Sequence, residues 1–271
     1  EHRQDIRWFS GFNNWTPWCA ANTLGSAMYL LDDQARLASL AARLNVFVDR
    51  FIDGYGADGG CDEGPSYWNV AAGALFLYLD MLYERTDGAV NLFDEPLIAR
   101  MAHYAVSMHL DGPWVANFAD AQAPGRIKSG MAYRFGERVG DEALKNLSLL
   151  AANNWQPGPI ADCGARAPKA SIRGLPHLIR ELFWLPTDAV ARPAVHEVNT
   201  WMPELQVSVL RESPEADTGL VLAAKGGHNS ESHNHNDIGQ FILMLNGEPF
   251  VVDVGAEEYT RAAFSDKRYT I

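Results

Sequence analysis

The chain has 271 residues, of which 47% are hydrophobic, and its 22 Lys and Arg residues face 34 Asp and Glu residues, a formal net charge of −12. This composition allows a sizeable buried core and argues against nucleic acid or an anionic membrane surface as the partner. No apolar run approaches the length of a membrane span, and the three cysteines, without CxxC spacing, indicate neither a disulfide framework nor a zinc ribbon.

Helical periodicity dominates from Thr16 to about Leu185. Thr16-Pro17 places an N-cap residue before a proline at the first helical position, which predicts a helix over 16–31. Gly64-Pro65 opens another helix, which includes the apolar stretch 67–79 and ends before Asp87-Gly88. The remaining predicted helices cover about 33–52, 95–109, 140–153 and 175–185.

After Glu197 the apolar residues recur with a period of two, which predicts strands over 205–210, 219–224, 238–245 and 250–254. Asn246-Gly247 between the last two is a strong signal for a type I′ hairpin turn. In that register Asp253 faces Gln240, so the loop before the third strand must curl back, for example at Gly239, to bring a histidine near Asp253. The fold class is therefore α+β, with helices first and an antiparallel sheet after them.

A cluster of amides and tryptophans precedes the first helix, in the segment 11–18, GFNNWTPW. Asn13 and Asn14 are typical turn and cap residues. Trp15 and Trp18 flank the cap, and indole rings outside a core often stack on sugars. The segment is either a structural cap or part of a carbohydrate site.

A glycine-rich acidic loop, residues 58–64, leads into a helix that carries Tyr67 in its first turn. A tyrosine in this position often packs half-buried against its neighbours. A phenol has a reference pKa of about 10, and the positive end of a helix dipole favours its anion. Tyr67 is therefore a candidate base as well as a packing residue.

Three of the eight histidines, His228, His233 and His235, lie within eight residues. Such a cluster is either a polar loop or a metal or acid–base site. Asp253 in the apolar run FVVDVG favours the second interpretation, because a buried carboxylate is costly unless it is paired or metal-bound. Histidine and aspartate together suit zinc.

The motifs together resemble those of the heparinase II/III-like polysaccharide lyases, which include alginate and oligoalginate lyases. The resemblance rests on Asn13-Asn14-Trp15, the segment 58–67 (DGGCDEGPSY), the segment 232–237 (SHNHND) and Asp253, in this order. It implies an incomplete α/α toroid over residues 1–192, the start of an antiparallel β-sandwich over 193–271, and an active site in the cleft between them. The abrupt start at Ile6-Arg7-Trp8 and the strand-like end 268–271 lead us to expect a fragment of a longer chain.

The resemblance also implies residue roles in β-elimination at a uronic acid. This reaction needs removal of the C5 proton, stabilisation of negative charge on the carboxylate, and protonation of the departing O4. Tyr67 is then base, acid or both, Asn14 with Asn13 holds the carboxylate, and His233 assists neutralisation or acts as base. The assigned residues are, for substrate binding, Asn13, Trp15, Glu63 and Trp68, and, for a structural zinc, His235 and Asp253, with a third ligand beyond Ile271.

The resemblance implies an acidic polysaccharide or oligosaccharide as the partner, with neither nucleic acid nor a membrane, and it is compatible with a homodimer. The residues leave the compartment open; a bacterial periplasmic or secreted location is favoured over a cytoplasmic one. Trp15 departs from the family, in which a histidine often stands near the asparagine. Two alternatives remain: a glycoside hydrolase that uses Glu63 with Asp62 or Asp58, and a non-catalytic carbohydrate-binding protein.

Overall fold

The computed structural model describes Trp8, residues 11–154 and residues 175–255 apart from positions 216, 230, 232, 234 and 237. The motif residues Ser232, Asn234 and Asp237 and both ends of the chain lie outside the described residues. The helices are α1 (Trp15–Leu30), α2 (Gln34–Asp53), α3 (Pro65–Trp68), α4 (Ala72–Arg85), α5 (Pro96–Ser107), α6 (Ser129–Val139), α7 (Glu142–Asn154) and α8 (Leu175–Trp184). The strands are β1 (His109–Asp111), β2 (Trp114–Val115), β3 (Asn199–Met202), β4 (Val207–Arg211), β5 (Leu220–Lys225), β6 (Phe241–Leu245) and β7 (Glu248–Val251).

The order of these elements confirms the predicted α+β class, with one exception. Helices precede position 185 and an antiparallel sheet follows it, but the short hairpin of β1 and β2 lies within the helical part. The described residues contain one five-stranded sheet in the second half. The α/α toroid, the second layer of a sandwich and the boundary at residue 192 remain predictions.

Helix α4 lies at the centre of the helical part, because its side chains are buried on nearly every side from Ala72 to Leu82. It packs against α1 and α6. Gly73 lies against the end of the Met131 side chain of α6, since a Cβ atom there would lie 2.5 Å from Cε of Met131. Although α4 is strongly apolar, none of the helices among the described residues is long and apolar enough to cross a membrane.

The predicted helix after Gly64-Pro65 is in fact two helices, α3 and α4, separated by a turn. Asn69 explains the break: its side-chain amide donates to the carbonyl of Arg126 (2.8 Å), and its oxygen accepts from the backbone N–H of Lys128 (2.9 Å). These bonds tie the turn to the loop before α6. The short helix that carries Tyr67 therefore takes a direction of its own.

The sheet has the order β3-β4-β5-β6-β7, with all neighbours antiparallel. Alternate residues of its central strands are buried, as the period of two predicts. The buried apolar residues of the sheet belong to the same core as those of the helices. They are Met202, Val207, Val209, Val221, Ala223, Ile242 and Met244.

The Asn246-Gly247 turn is confirmed, with φ angles of +50° and +79° at the two positions. Leu245 pairs with Glu248 and Met244 with Pro249, as predicted, but the register then shifts, so that Leu243 pairs with Val251. Strand β7 ends at Val251. The predicted pairing of Asp253 with Gln240 is therefore wrong, because a bulge interrupts the ladder before it reaches Asp253.

The glycine-rich loop after α2 is joined to the turn between β3 and β4 by one carboxylate. Oδ2 of Asp58 accepts hydrogen bonds from the backbone N–H groups of Glu204 (2.8 Å) and Leu205 (3.2 Å), and Oδ1 accepts one from Gly60 (2.9 Å). A Cβ atom at Gly60 would lie 2.3 Å from Cδ1 of Leu205. The loop can therefore approach the sheet because it lacks a side chain at this point.

A second junction of helices and sheet contains a buried pair of histidines. Arg211 of β4 donates to the carbonyls of Leu110 (2.9 Å) and His109 in β1. Nε2 of His109 donates to the carbonyl of Gly112 (2.8 Å), which leaves Nδ1 to accept from Nε2–H of His196 (3.0 Å). Burial, opposed only in part by the Gly112 carbonyl, lowers the pKa of His109 to about 4, and burial together with His109 and Arg211 lowers the pKa of His196 to about 2.

We expect this junction to make the fold sensitive to acid. In the unfolded chain both histidines gain protons as the pH falls below roughly 6.5. In the folded chain they stay neutral well below that pH. Their contribution to stability is complete above that pH and is lost as the pH falls towards 4, so that the wild type should take up about two protons on unfolding in this range. For His196→Gln, the pH dependence of the free energy of urea unfolding should show uptake of about one proton, because the Gln amide can still donate to His109. Equal pH slopes for the two proteins would contradict this assignment.

Candidate active site

The site begins with a buried contact between the cap of α1 and the glycine-rich loop. The backbone N–H of Asn14 donates to Oε1 of Glu63 (3.2 Å), and its side-chain Nδ2 donates to Oε2 (3.0 Å). Both residues are buried, with 8% and 3% of their surface exposed. An amide nitrogen carries two hydrogens, so Asn14 keeps one donor for a ligand while Glu63 orients it.

His233 lies between two carboxylates that come from different parts of the chain. Its Nε2 is 3.0 Å from Oε2 of Glu63, and its Nδ1 donates to Oδ2 of Asp120. The loop that carries His233 is sharply bent: φ is +59° at His233 and +86° at Gly239, whose N–H donates to the carbonyl of Lys225 (2.8 Å). The bend at Gly239 is at the position that the sequence offered for the loop to curl back, whereas the approach of a histidine to Asp253 remains a prediction.

The two carboxylates determine the charge of His233. Since both ring nitrogens face a carboxylate oxygen, both carry a hydrogen, and the ring is an imidazolium. Burial lowers the pKa of His233, but the hydrogen bonds to Asp120 and Glu63 outweigh this effect and raise the pKa to about 9. Of the two roles considered for His233, this geometry favours neutralisation of charge, because no ring lone pair is available to take a proton.

Asp120 is a site residue that the sequence analysis missed. It is 6% exposed, and its Oδ1 accepts from Nε2 of His235 (2.7 Å) while its Oδ2 accepts from His233. The signal that drew attention to Asp253, a carboxylate within an apolar run, was also present at Asp120 in the stretch WVANFADA. One buried carboxylate thus holds both histidines of the His-Asn-His motif.

Tyr67 lies beside His233, with ring centroids 4.6 Å apart and planes tilted by 39°. A close approach of two loops produces this arrangement. Gly64 has φ +93°, and a Cβ atom there would lie 2.5 Å from the carbonyl oxygen of Phe118. Only glycine lets the loop that carries Asp120 pass so near the helix that carries Tyr67.

Two of the predicted substrate-binding residues have other positions than expected. Trp68 is 1% exposed, its Nε1 donates to the carbonyl of Met101 (2.7 Å), and its ring stacks on Phe135. Its assignment to substrate binding is wrong, because the indole belongs to the core. Glu63 is buried and holds Asn14 and His233 instead of lying on the surface of the cleft.

The other predicted substrate contacts remain accessible. Trp15 is 60% exposed at the start of α1. Asn13 is exposed, and its Oδ1 accepts from the backbone N–H of Trp15 (3.2 Å). Both therefore flank the buried Asn14 from the solvent side, where a sugar could reach them.

Asp253, one of the two predicted zinc ligands, lies close to the loop of Asp120. It is 9% exposed, its backbone carbonyl accepts from the side chain of Asn117 (3.4 Å), and its Oδ1 accepts from the N–H of Gly255 (2.6 Å). Within the described part of the chain, no three His, Cys, Asp or Glu side chains form a group that could hold a metal. His235 and Asp253 are the donor types that zinc prefers, but the described residues do not complete a site.

Solved structures with a similar fold include a polysaccharide lyase. The heparan sulfate lyase HepC of Pedobacter heparinus matches with a TM-score of 0.55 and 16% identity over 100% of this chain, and a mutant of it with a TM-score of 0.55 and 17% identity over 96%. The chain spans only 34–35% of the length of those proteins. Identities this low establish a relationship at the level of the fold. No family model and no curated protein matches the sequence.

The contrast between the two tryptophans leads to a prediction about stability. Replacing the buried Trp68 by Ala should lower the free energy of unfolding by about 3–5 kcal/mol, because it leaves a cavity and removes the hydrogen bond to the carbonyl of Met101. Replacing the exposed Trp15 by Ala should change it by less than about 0.5 kcal/mol. Urea unfolding followed by circular dichroism measures both. Similar losses for the two variants would show that Trp15 also belongs to the core.

Proposed function

We propose that this chain carries the active site of a polysaccharide or oligosaccharide lyase that cleaves uronic-acid-containing glycans by β-elimination. The observation that carries the proposal is the contact of the Tyr67 phenol with an imidazolium, His233, which two carboxylates hold in place. Asn14 is bound to one of these carboxylates. The fold shared with a heparan sulfate lyase supports the same class of reaction.

Asn14 and His233 supply the positive potential that the substrate carboxylate needs. Loss of the C5 proton moves negative charge onto the C6 carboxylate, and donors already oriented towards that charge lower the barrier. The free N–H of the Asn14 amide, with help from Asn13, binds the carboxylate. The imidazolium of His233 then stabilises the charge that develops.

Tyr67 moves the protons. A cation beside a phenol favours the phenolate by Coulomb attraction. The dipole of α3 contributes little to this, because the helix has only 4 residues. The phenolate takes the C5 proton, the C4–C5 double bond forms as the C4–O4 bond breaks, and the phenol returns the proton to O4. One residue thus acts first as base and then as acid.

Buried carboxylates close to His233 and His235 provide an environment that favours a bound cation. Glu63, Asp120 and Asp253 are all buried, and carboxylate and imidazole groups are ligands that suit zinc. We therefore propose that His235 and Asp253 contribute to a structural zinc site that needs at least one further ligand. Asp120 would orient the ring of His235 through its contact with Nε2, and a zinc ion would supply positive charge that favours an acidic glycan.

The paired-carboxylate hydrolase receives less support from the contacts. Asp58 holds the turn between β3 and β4 through backbone N–H groups, and both oxygens of Glu63 are hydrogen-bonded to Asn14 or His233. These contacts assign both side chains to positioning within the protein. A non-catalytic carbohydrate-binding protein would not need an imidazolium held against a tyrosine.

The zinc proposal predicts a difference in metal content between matched variants. After equilibrium dialysis against zinc, the wild type should retain metal at concentrations where His235→Ala and Asp253→Ala have lost it, with affinity at least about tenfold lower in each. His103→Ala, which removes a histidine bound to Asp141 away from the site, should retain as much zinc as the wild type. Metal analysis that finds equal zinc in all four proteins contradicts the proposed ligands.

The lyase mechanism predicts the behaviour of Tyr67→Phe. The substitution keeps the ring beside His233 and removes only the hydroxyl, so kcat should fall by roughly a hundredfold or more while substrate binding is retained. Product formation is followed by the ultraviolet absorbance of the unsaturated uronate, with heparin-like polymers, alginate and other uronate polymers as substrates.

Tyr78→Phe is the matched control for this experiment. Tyr67 is half-buried, whereas Tyr78 is a buried tyrosine whose hydroxyl donates to Oδ1 of Asn45 (2.6 Å) on α2. The control should lose about 1 kcal/mol of stability and keep its kcat. If Tyr67→Phe is folded and turns over as fast as Tyr78→Phe, Tyr67 is a packing residue. Sugar release without ultraviolet absorbance would identify a hydrolase instead.

A further inference from the structure

We propose that Asp120 is a positioning residue that holds the two histidines of the His-Asn-His motif with a single carboxylate and so sets the geometry of His233. The proposal rests on the proposed lyase function for its kinetic consequences. Its structural basis is the shared contact: Oδ2 of Asp120 accepts from Nδ1 of His233, and Oδ1 accepts from Nε2 of His235 at 2.7 Å.

The contact joins two parts of the fold. Asp120 lies on a loop between β2 and α6, whereas both histidines lie on the loop between β5 and β6 of the sheet. The histidine loop has left-handed φ angles of +59° at His233 and +58° at Asn236, a conformation that costs energy for residues other than glycine. Because Asp120 contacts both rings in this conformation, its carboxylate stabilises the bent loop.

The surroundings of Asp120 make the contact strong. Only 2% of its side chain is exposed, and Phe118, Ala119 and Ala121 next to it are all buried. A carboxylate in such surroundings is stable only when donors satisfy it, and charge-assisted hydrogen bonds are the strongest available. Asp120 therefore holds each ring more rigidly than a solvent-exposed aspartate would.

The orientation of His233 follows from this contact. With Nδ1 held by Asp120, the opposite nitrogen, Nε2, points to Glu63 at 3.0 Å, and the ring face lies against Tyr67. An aspartate that orients an imidazole in this way is a common device in active sites. Asp120 would not touch the substrate; it would act through the position of His233.

The same carboxylate links the proposed metal ligand to the site. Asp120 engages Nε2 of His235 and would thereby orient the ring of this proposed ligand. Loss of Asp120 should then weaken zinc binding as well as slow the reaction.

Asp120→Asn and Asp120→Glu together test the proposal. Asparagine has the same shape but only one acceptor oxygen, so it can serve only one histidine. We expect kcat to fall by about 10–100-fold, with KM changed by less than about threefold. Glutamate is longer but keeps two acceptor oxygens, and it should recover at least about a tenth of the wild-type kcat.

A purely structural role predicts the opposite order. If Asp120 only fills space, the isosteric asparagine should be nearly harmless, and the larger glutamate should be the more damaging substitution. A kcat of Asp120→Asn equal to the wild-type value, or higher than that of Asp120→Glu, overturns the proposal. Both values are compared per folded molecule, with the folded fraction taken from thermal unfolding.

Asp141→Asn is the matched control. Oδ2 of Asp141 accepts from Nδ1 of His103 (2.8 Å), a partly buried aspartate–histidine pair on α5 and the start of α7, away from the site. The Asp141→Asn substitution should lower the melting temperature and leave kcat unchanged. If Asp141→Asn slows the reaction as much as Asp120→Asn does, the effect of Asp120 is one of general stability and the proposal fails.

Hydrogen-bond measurements separate this proposal from the proposed function. In the metal-free wild type, the ring N–H protons that His233 and His235 donate to Asp120 should give downfield, slowly exchanging NMR signals, identified by their loss in His233→Gln and His235→Gln. At least one should disappear in Asp120→Asn, whether or not any uronate polymer is cleaved. Signals that persist unchanged overturn the proposal; their loss in a chain that cleaves no polymer would uphold the contact and reject the lyase.

Discussion

The site depends on an imidazolium held between two buried carboxylates. His233 is bound by Glu63 and Asp120, which are 3% and 6% exposed. Any one of these charges would be unstable in such surroundings, but each carboxylate faces the shared cation, and Glu63 and Asp120 accept further hydrogen bonds from Asn14 and His235. Removal of one member would deprive a buried neighbour of one of its hydrogen bonds, so the charges stabilise one another as a set.

The same set of charges joins three separate segments of the chain. Glu63 belongs to the glycine-rich loop, Asp120 to the loop before α6, and His233 to a loop of the sheet. Glycines make the approach possible, since a Cβ atom at Gly64 would lie 2.5 Å from the carbonyl oxygen of Phe118. Asp58 joins the same loop to the sheet by accepting backbone hydrogen bonds. The glycine-rich loop therefore serves both as a structural joint and as the support of the site.

This arrangement divides the proposed chemistry between two neighbouring rings. His233 carries positive charge but has no lone pair to offer, whereas Tyr67 can exchange a proton and has a cation at its side. The proposed zinc would add positive charge beside the buried carboxylates, which connects it to the proposed acidic substrate. A chain with a net charge of −12 would thus bind an anion through a small region of local positive potential.

The sequence by itself determined the features that depend on near neighbours in the chain. Prolines and periodicity predicted most helices, although the N-cap of α1 is Asn14 and not the predicted Thr16. Asn246-Gly247 predicted the hairpin, and the apolar run around Asp253 predicted that its carboxylate is buried. These signals are local, because they reflect backbone preferences and the period of a helix or strand. They also indicated the residue types of the site, Asn14, Tyr67 and the His-Asn-His motif.

Only the tertiary structure decided which of these residues meet and which lie in the core. Trp68 carries the same local signal as an exposed stacking residue, yet it packs on Phe135, and Glu63 is buried against Asn14, 49 positions away. Asp120 reaches His233 across 113 positions. Such contacts depend on how loops pack over glycines and on which buried charges find partners, and no local pattern contains that information. The structure alone therefore identified the carboxylate that holds both histidines.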